Sequence, residues 1–153
     1  SIRGTKFYIF EHYKDVYFDN IQRFIETFSP EFEKCGCVFC IENTKGFLDF
    51  QKQAIEIMLN DKNCGLTFDI GHAYKAGGED EKFILSHLNS VRHFHIHDVT
   101  QSSNHIALGQ GILDINKYLN LARDLDASSL IEVKSPECLI QSSAYLKAQG
   151  YKK

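Results

Sequence analysis

Five short apolar runs in this chain alternate strictly with segments of helical periodicity, and that alternation narrows the fold more than anything else in the sequence. Lys6–Phe10, Cys37–Ile41, Gly65–Ile70, Val91–His97 and Ser129–Val133 read as strands. Asp15 opens a helical pattern carrying Phe18, Ile21, Phe24, Ile25 and Phe28 on one side, with Ser29-Pro30 as its expected stop. Phe47, Phe50, Ala54, Ile57 and Met58 keep the same spacing. Asp80 is expected to cap a short helix that buries Phe83, Ile84 and Leu88, after a glycine-rich loop at Ala76-Gly-Gly78. Asp114 caps a helix through Leu125, and Ser135-Pro136 opens a last one that Gly150 ends. Strands and helices in this order predict an α/β protein with a parallel sheet.

The strands then discriminate between kinds of parallel sheet. In an open, doubly wound sheet both faces are apolar throughout. Here one face turns polar toward the strand ends: Thr67 and Asp69 oppose Leu66, Phe68 and Ile70, while His93, His95 and His97 oppose Phe94 and Ile96. Glu132 likewise opposes Ile131 and Val133. A TIM-type (β/α) barrel with its site at the C-terminal mouth calls for that arrangement. A full barrel has eight strands in about 250 residues. The 153 residues here are therefore expected to form one partial barrel domain, residues 1–153, of about five strand–helix units without the N-terminal strands. Such a half leaves sheet edges bare, so either the chain is a fragment or a homodimer partner or a second chain is expected to complete it.

Composition excludes little but points one way. A net charge of −3 offers no broad attraction to nucleic acid or an anionic membrane. No apolar run approaches the roughly 20 residues that span a bilayer, and Ser1-Ile-Arg-Gly4 does not start like a secretory leader. The cysteines at 35, 37, 40, 64 and 138 are odd in number, which fits a reducing cytoplasm rather than a disulfide framework, and Cys35, Cys37 and Cys40 are expected to be buried structural thiols. With Cys37 and Cys40 in one strand, their side chains are expected on opposite faces, which disfavours a shared metal.

Glu42, Asp69, His95 and Glu132 each stand at or near the end of a successive strand, on the face expected to point inward, and His72 follows Asp69 in an expected turn carrying Gly71. A strand-end acid on its own is more often a cap or an ion-pair partner. Three carboxylates converging with one imidazole would repel each other without a cation, and they form a hard oxygen/nitrogen site suited to Mn, Mg, Co or Zn.

The motifs Ile41-Glu-Asn-Thr44, Asp69-Ile-Gly-His72, His95-Ile-His-Asp98, His105-Ile-Ala-Leu-Gly-Gln-Gly111 and Ile131-Glu-Val133 stand in the order found in the xylose isomerase-like TIM barrel superfamily, which this chain resembles over roughly residues 37 to 135. That superfamily joins divalent-metal sugar isomerases and epimerases to the endonuclease IV repair enzymes. The resemblance implies Glu42, Asp69, His95 and Glu132 as metal ligands, with His72 and His105 binding substrate or additional metal. It implies a sugar or sugar phosphate substrate, with Glu42 and Glu132 passing a proton through an enediolate. Gly109 and Gly111 would let backbone approach the ligand, or would simply turn the loop. Glu42-Asn-Thr-Lys-Gly46 and His72-Ala-Tyr-Lys-Ala-Gly77 are also similar to the endonuclease IV versions, whose substrate is DNA containing an abasic site. That group's third metal requires an aspartate where this chain has Ser103. His12 corresponds to an earlier ligand of that group only by its distance from Glu42. A third expectation is a truncated barrel that binds metal or a partner without turnover.

Overall fold

The computed structural model describes residues 8–151. Its elements are α1 (Ile9–His12), α2 (Lys14–Cys35), β1 (Phe39–Glu42), α3 (Asp49–Leu59), β2 (Cys64–Asp69), α4 (Ile70–Lys75), α5 (Glu79–Leu85), β3 (Val91–Ile96), α6 (Ile115–Asp124), β4 (Ser128–Ile131) and α7 (Pro136–Ala148). The four described strands follow the order β1-β2-β3-β4 in one sheet. The chain forms two compact units. One holds the described residues through Ile41 with Phe47–Gly65, and the other holds Glu42–Gly46 with the residues from Leu66 onward.

The first unit corrects four expectations. The run beginning at Lys6 is no strand where it is described, because Ile9 and Phe10 already belong to α1; Lys6 and Phe7 lie outside the described residues. α2 does not stop at Ser29-Pro30 but carries Pro30 inside it. Proline there removes the N–H that would bond to the Glu26 carbonyl. An aromatic ladder at helical spacing holds both sides of the break: Phe24 lies 5.0 Å from Phe28, and Phe28 lies 6.2 Å from Phe32. Ser29 is also tied down, donating to Asp61 at 2.8 Å and accepting from Asn63 at 2.9 Å. The helix ends where Gly36 takes φ +65°, with the Gly36 and Cys37 N–H groups returning to Glu33 and Phe32. Cys37 therefore belongs to a turn instead of a strand, and Cys35 and Cys37 are exposed where buried thiols were expected; Cys64 is the buried one. Ile25, Met58 and Cys64 form the core of this unit, with Ile21, Phe24, Ile41 and Ile57 packed around them.

The second unit is built on parallel pairing. Thr67, His93 and Ser128 stand abreast across β2, β3 and β4, as do Asp69, His95 and Leu130. A register shift lies between Leu66 and Thr67, where Leu66 pairs with Val91 but Thr67 with His93. The extra residue lets Val91 bury on the outer face although it shares sequence parity with His93 and His95. On that outer face Phe68 packs 5.5 Å from Phe94 and edge-on to Tyr118, which α6 presents one turn from buried Ile115 and Ala122. α6 is capped as expected by Asp114, and α7 by Ser135 with Pro136 in its first turn. α5 departs from expectation. It starts after Gly78 at φ +83°, so Asp80 lies buried inside the helix and does not cap it.

Candidate metal and substrate site

β2 delivers Asp69, and the chain passes directly from it into a short helix where a turn was expected. The reason is local: the Asp69 carboxylate accepts the His72 N–H at 2.7 Å and so caps α4. Asp69 thus fixes the helix that carries His72. Its backbone is fixed in turn by Asn43, just past β1. The buried Asn43 amide donates to the Asp69 carbonyl and accepts from the Asp69 N–H, both at 2.9 Å, completing a strand-like pair where the strand has ended.

Register brings His95 beside Asp69, and Glu42 and Glu132 close on the same point. His95 Nδ1 lies 3.1 Å from Glu132 Oε2, 3.2 Å from Glu42 Oε1 and 3.8 Å from Asp69 Oδ2. One ligand atom from each of these four side chains falls within 4.8 Å of the others. A single imidazole N–H can donate to only one of three carboxylates. The buried Glu132 Oε2 has no hydrogen-bond donor among the described residues, its approach to His95 being close but badly angled. An orphaned carboxylate oxygen facing two more carboxylates is what a divalent cation would satisfy, so this donor set fits one. The cluster grades from fully buried Asp69 to Glu132, whose side chain is 40% exposed, so access is from the glutamate side.

His72 and His105 line the next space, with rings 5.2 Å apart. His105 takes φ +55°, an uncommon conformation for a residue with a side chain. Its Nδ1–H reaches the Glu132 carbonyl at 3.2 Å. Burial and the adjacent His97 ring push the His105 imidazole below the ordinary histidine value. His12, by contrast, is exposed at the end of α1 in the first unit, edge-on to Tyr13.

Two residues that matter here were not singled out by sequence reasoning. His97 is fully buried, with Nε2 at 3.0 Å from Asp69 Oδ1. Its Nδ1 accepts the His105 N–H at 3.2 Å, so the proton sits on Nε2 and is donated to Asp69. His72, His97 and His105 offer nitrogens close enough to share a metal, but both nitrogens of His97 are already engaged. Burial raises the Asp69 carboxyl, yet the bonds from His97 and the His72 backbone and the electrostatic attraction of both rings hold it below the ordinary carboxylate value. Asp98 is the second: fully buried, it accepts from the backbone of Val99, Leu113, Gly109 and Gly111 at 2.8–3.1 Å. A Cβ on Gly111 would meet Asp98 Oδ1 at 2.2 Å, so Gly111 serves the approach to Asp98. Alternation offered a signal for His97, which continues the His93, His95 face; Asp98 had only its place in the motif.

A family model described as xylose isomerase-like TIM barrel matches residues 6–149. The uncharacterized protein MJ1311 of Methanocaldococcus jannaschii is 28% identical over 100 residues, covering 61% of this chain and 34% of that protein. Among solved structures, the probable 3-DHS dehydratase AsbF involved in petrobactin synthesis from Bacillus anthracis superposes with a TM-score of 0.68 at 14% identity, covering 92% of this chain and 58% of that one. The apo 3-keto-D-glucoside 4-epimerase YcjR from E. coli gives a TM-score of 0.59, also at 14% identity, covering 81% and 51%. The chain thus spans between about a third and three-fifths of the length of these proteins. The parallel four-stranded sheet with its helices is part of a TIM-type barrel. No helix among the described residues is long and apolar enough to cross a membrane.

Proposed function

This chain belongs to the xylose isomerase-like TIM barrel family, and from that premise we propose that it carries the site of a divalent-metal-dependent sugar isomerase or epimerase. The convergence of Glu42, Asp69, His95 and Glu132 within 4.8 Å carries the reading. These four residues would hold the cation, which when bound supplies Lewis-acid polarisation of a substrate carbonyl and acidifies the neighbouring C–H. Glu42 and Glu132 stand at the accessible end of the cluster, so one removes that proton and the other returns one across an enediolate. Return to the opposite face of the same carbon is epimerisation; return to the next carbon is isomerisation. Asp69, buried and held by Asn43, His72 and His97, stays ionised and serves as a fixed ligand. His72 and His105 hydrogen-bond substrate hydroxyls from the adjoining wall, His105 accepting through the Nε2 that its Nδ1–H leaves unprotonated.

The histidine group at 72, 97 and 105 favours a second reading, an endonuclease IV-like nuclease using more than one metal on abasic DNA. Against it stand Ser103 in place of an aspartate and the two engaged nitrogens of His97. Leu130, abreast of His95 on the inner face, is 50% exposed, and we take a homodimer partner or a second chain to cover it. The deciding experiment measures metal per chain and assembly mass, then solvent deuterium incorporation into a panel of ketoses and aldoses. About one metal per chain with exchange at a carbon beside the carbonyl is expected. A metal-free monomer that exchanges nothing would support the truncated, non-catalytic barrel; cleavage of an abasic duplex would support the nuclease.

A further inference from the structure

Resting on that reading of the site, we propose that the pocket beside His72 is a subsite for a phosphate group carried by a small-molecule substrate. The pocket has a volume of about 320 Å³ and is lined by Thr44, Lys45, His72, Lys75 and Ala76. That is the low end of the roughly 300–1,000 Å³ typical of small-molecule sites, room for one end of a ligand. It is a built feature of the second unit. Gly46, at φ +92°, turns the loop after Glu42 so that a Cβ there would sit 3.9 Å from Ala76 Cβ, which brings Thr44 and Lys45 alongside the end of α4.

The charges are arranged for an anion. Lys45 and Lys75 have no carboxylate partner among the described residues, a property they share with Lys14, Lys52, Lys134 and Lys147, but these two stand together in the lining of this pocket. Lys75 is held in place, its ammonium donating to the Thr100 and Gln101 carbonyls at 2.6 and 2.8 Å. An ammonium has three donors, so one remains for a ligand, and its position costs no further ordering on binding. Thr44 adds a hydroxyl. His72 is the shared wall: it lines this pocket, and its Nε2 lies 4.0 Å from Asp69 Oδ2 in the carboxylate cluster. A phosphate is repelled by Glu42, Asp69 and Glu132 and attracted by Lys45 and Lys75. A sugar phosphate would therefore lie with its reacting carbons at the cluster and its phosphate at the lysines. The same polarity disfavours the reverse orientation, which makes this pocket a determinant of substrate direction as well as class.

The test uses the full chain treated with chelator, so that phosphate held by a metal does not contribute. Inorganic phosphate, D-ribose 5-phosphate and D-ribose are titrated separately while the backbone amide spectrum is followed. Saturable shifts centred on Thr44, Lys45, Lys75 and Ala76 are expected with both phosphates and not with ribose. Lys45→Ala and Lys75→Met should each weaken phosphate binding about fivefold or more, as loss of a charge-assisted contact does. Lys45→Ala has no hydrogen-bond partner to lose among the described residues, so its dispersed spectrum will match the parent. Absence of saturable shifts, equal affinity in both variants, or binding only of an abasic duplex overturns the proposal. Because metal is removed, these outcomes are independent of metal binding at Glu42, Asp69, His95 and Glu132. A chain that binds metal but no phosphate rejects this subsite and keeps the isomerase reading; one that binds phosphate but no metal does the reverse.

Discussion

Gly71→Ala tests whether His97 is locked against Asp69 as the distances imply. Intrinsic preference favours the change, since Gly71 lies within α4 and alanine gains about 0.5–1 kcal/mol over glycine in a helix. Geometry opposes it. A Cβ at position 71 would stand 1.9 Å from His97 Cε1, 2.6 Å from Nδ1 and 2.7 Å from Nε2. The ring is fully buried and bonded at both nitrogens, so it cannot swing aside without releasing Asp69 or the His105 N–H. Forcing a methyl into packed space costs about 1–3 kcal/mol. Losing the bond to the carboxylate costs about 1.5–3 kcal/mol instead, whichever route is cheaper. After the helix gain, a net loss of about 1–2 kcal/mol remains. With a slope of about 1–3 kcal/mol per molar in urea, the midpoint falls by about 1 M. A double-mutant cycle isolates the cause: with the ring removed by His97→Ala, Gly71→Ala should turn neutral or stabilising, a coupling of about 1–3 kcal/mol. A Gly71→Ala chain as stable as the parent, or an additive cycle, refutes the locked ring.

Glu132→Gln should abolish substrate proton exchange and cut bound metal well below one per chain by elemental analysis; unchanged metal and rate remove Glu132 from the site. Asp98→Asn replaces one acceptor oxygen of a carboxylate that takes four backbone N–H bonds, so a loss of about 2–4 kcal/mol is expected, with faster amide exchange at Gly109 and Gly111. His105 and His93 are both held below the ordinary histidine value of 6.5, burial being the first cause for each. The unfolded chain then binds more protons just below pH 6.5, so their contribution is complete above that pH and declines as pH falls toward the folded values. Urea midpoints between pH 5 and 8 should show this decline, and a flat profile would exclude it. Asp69, held below its ordinary value of 3.8, adds a second loss as pH falls from there through its folded value.

Much of this architecture is written in local sequence. Period-two and helical spacing, with caps such as Asp114 and Ser135-Pro136, are short-range physics that a chain expresses wherever its elements lie. Parity along β2 and β3 likewise placed Asp69 and His95 on one face, because alternation is a property of the strand itself. Sequence failed where a distant contact outweighed a local signal. Pro30 marks a helix end until Phe24, Phe28, Phe32 and Asn63 hold the helix on both sides of it. Asp69-Ile-Gly-His72 reads as a turn until its own aspartate caps a helix. Parity alone would also have turned Val91 inward, had the register not shifted at Thr67. The support of the site was least visible of all. Asn43 clamps Asp69 across 26 residues, His97 reaches it across 28, and Gly71 makes room for that ring. The sequence alone determined which acids and histidines line one face, because that depends on the period of each strand. Tertiary structure decided which of them converge, and which residues hold them there, because that depends on register and packing between segments that no local pattern encodes.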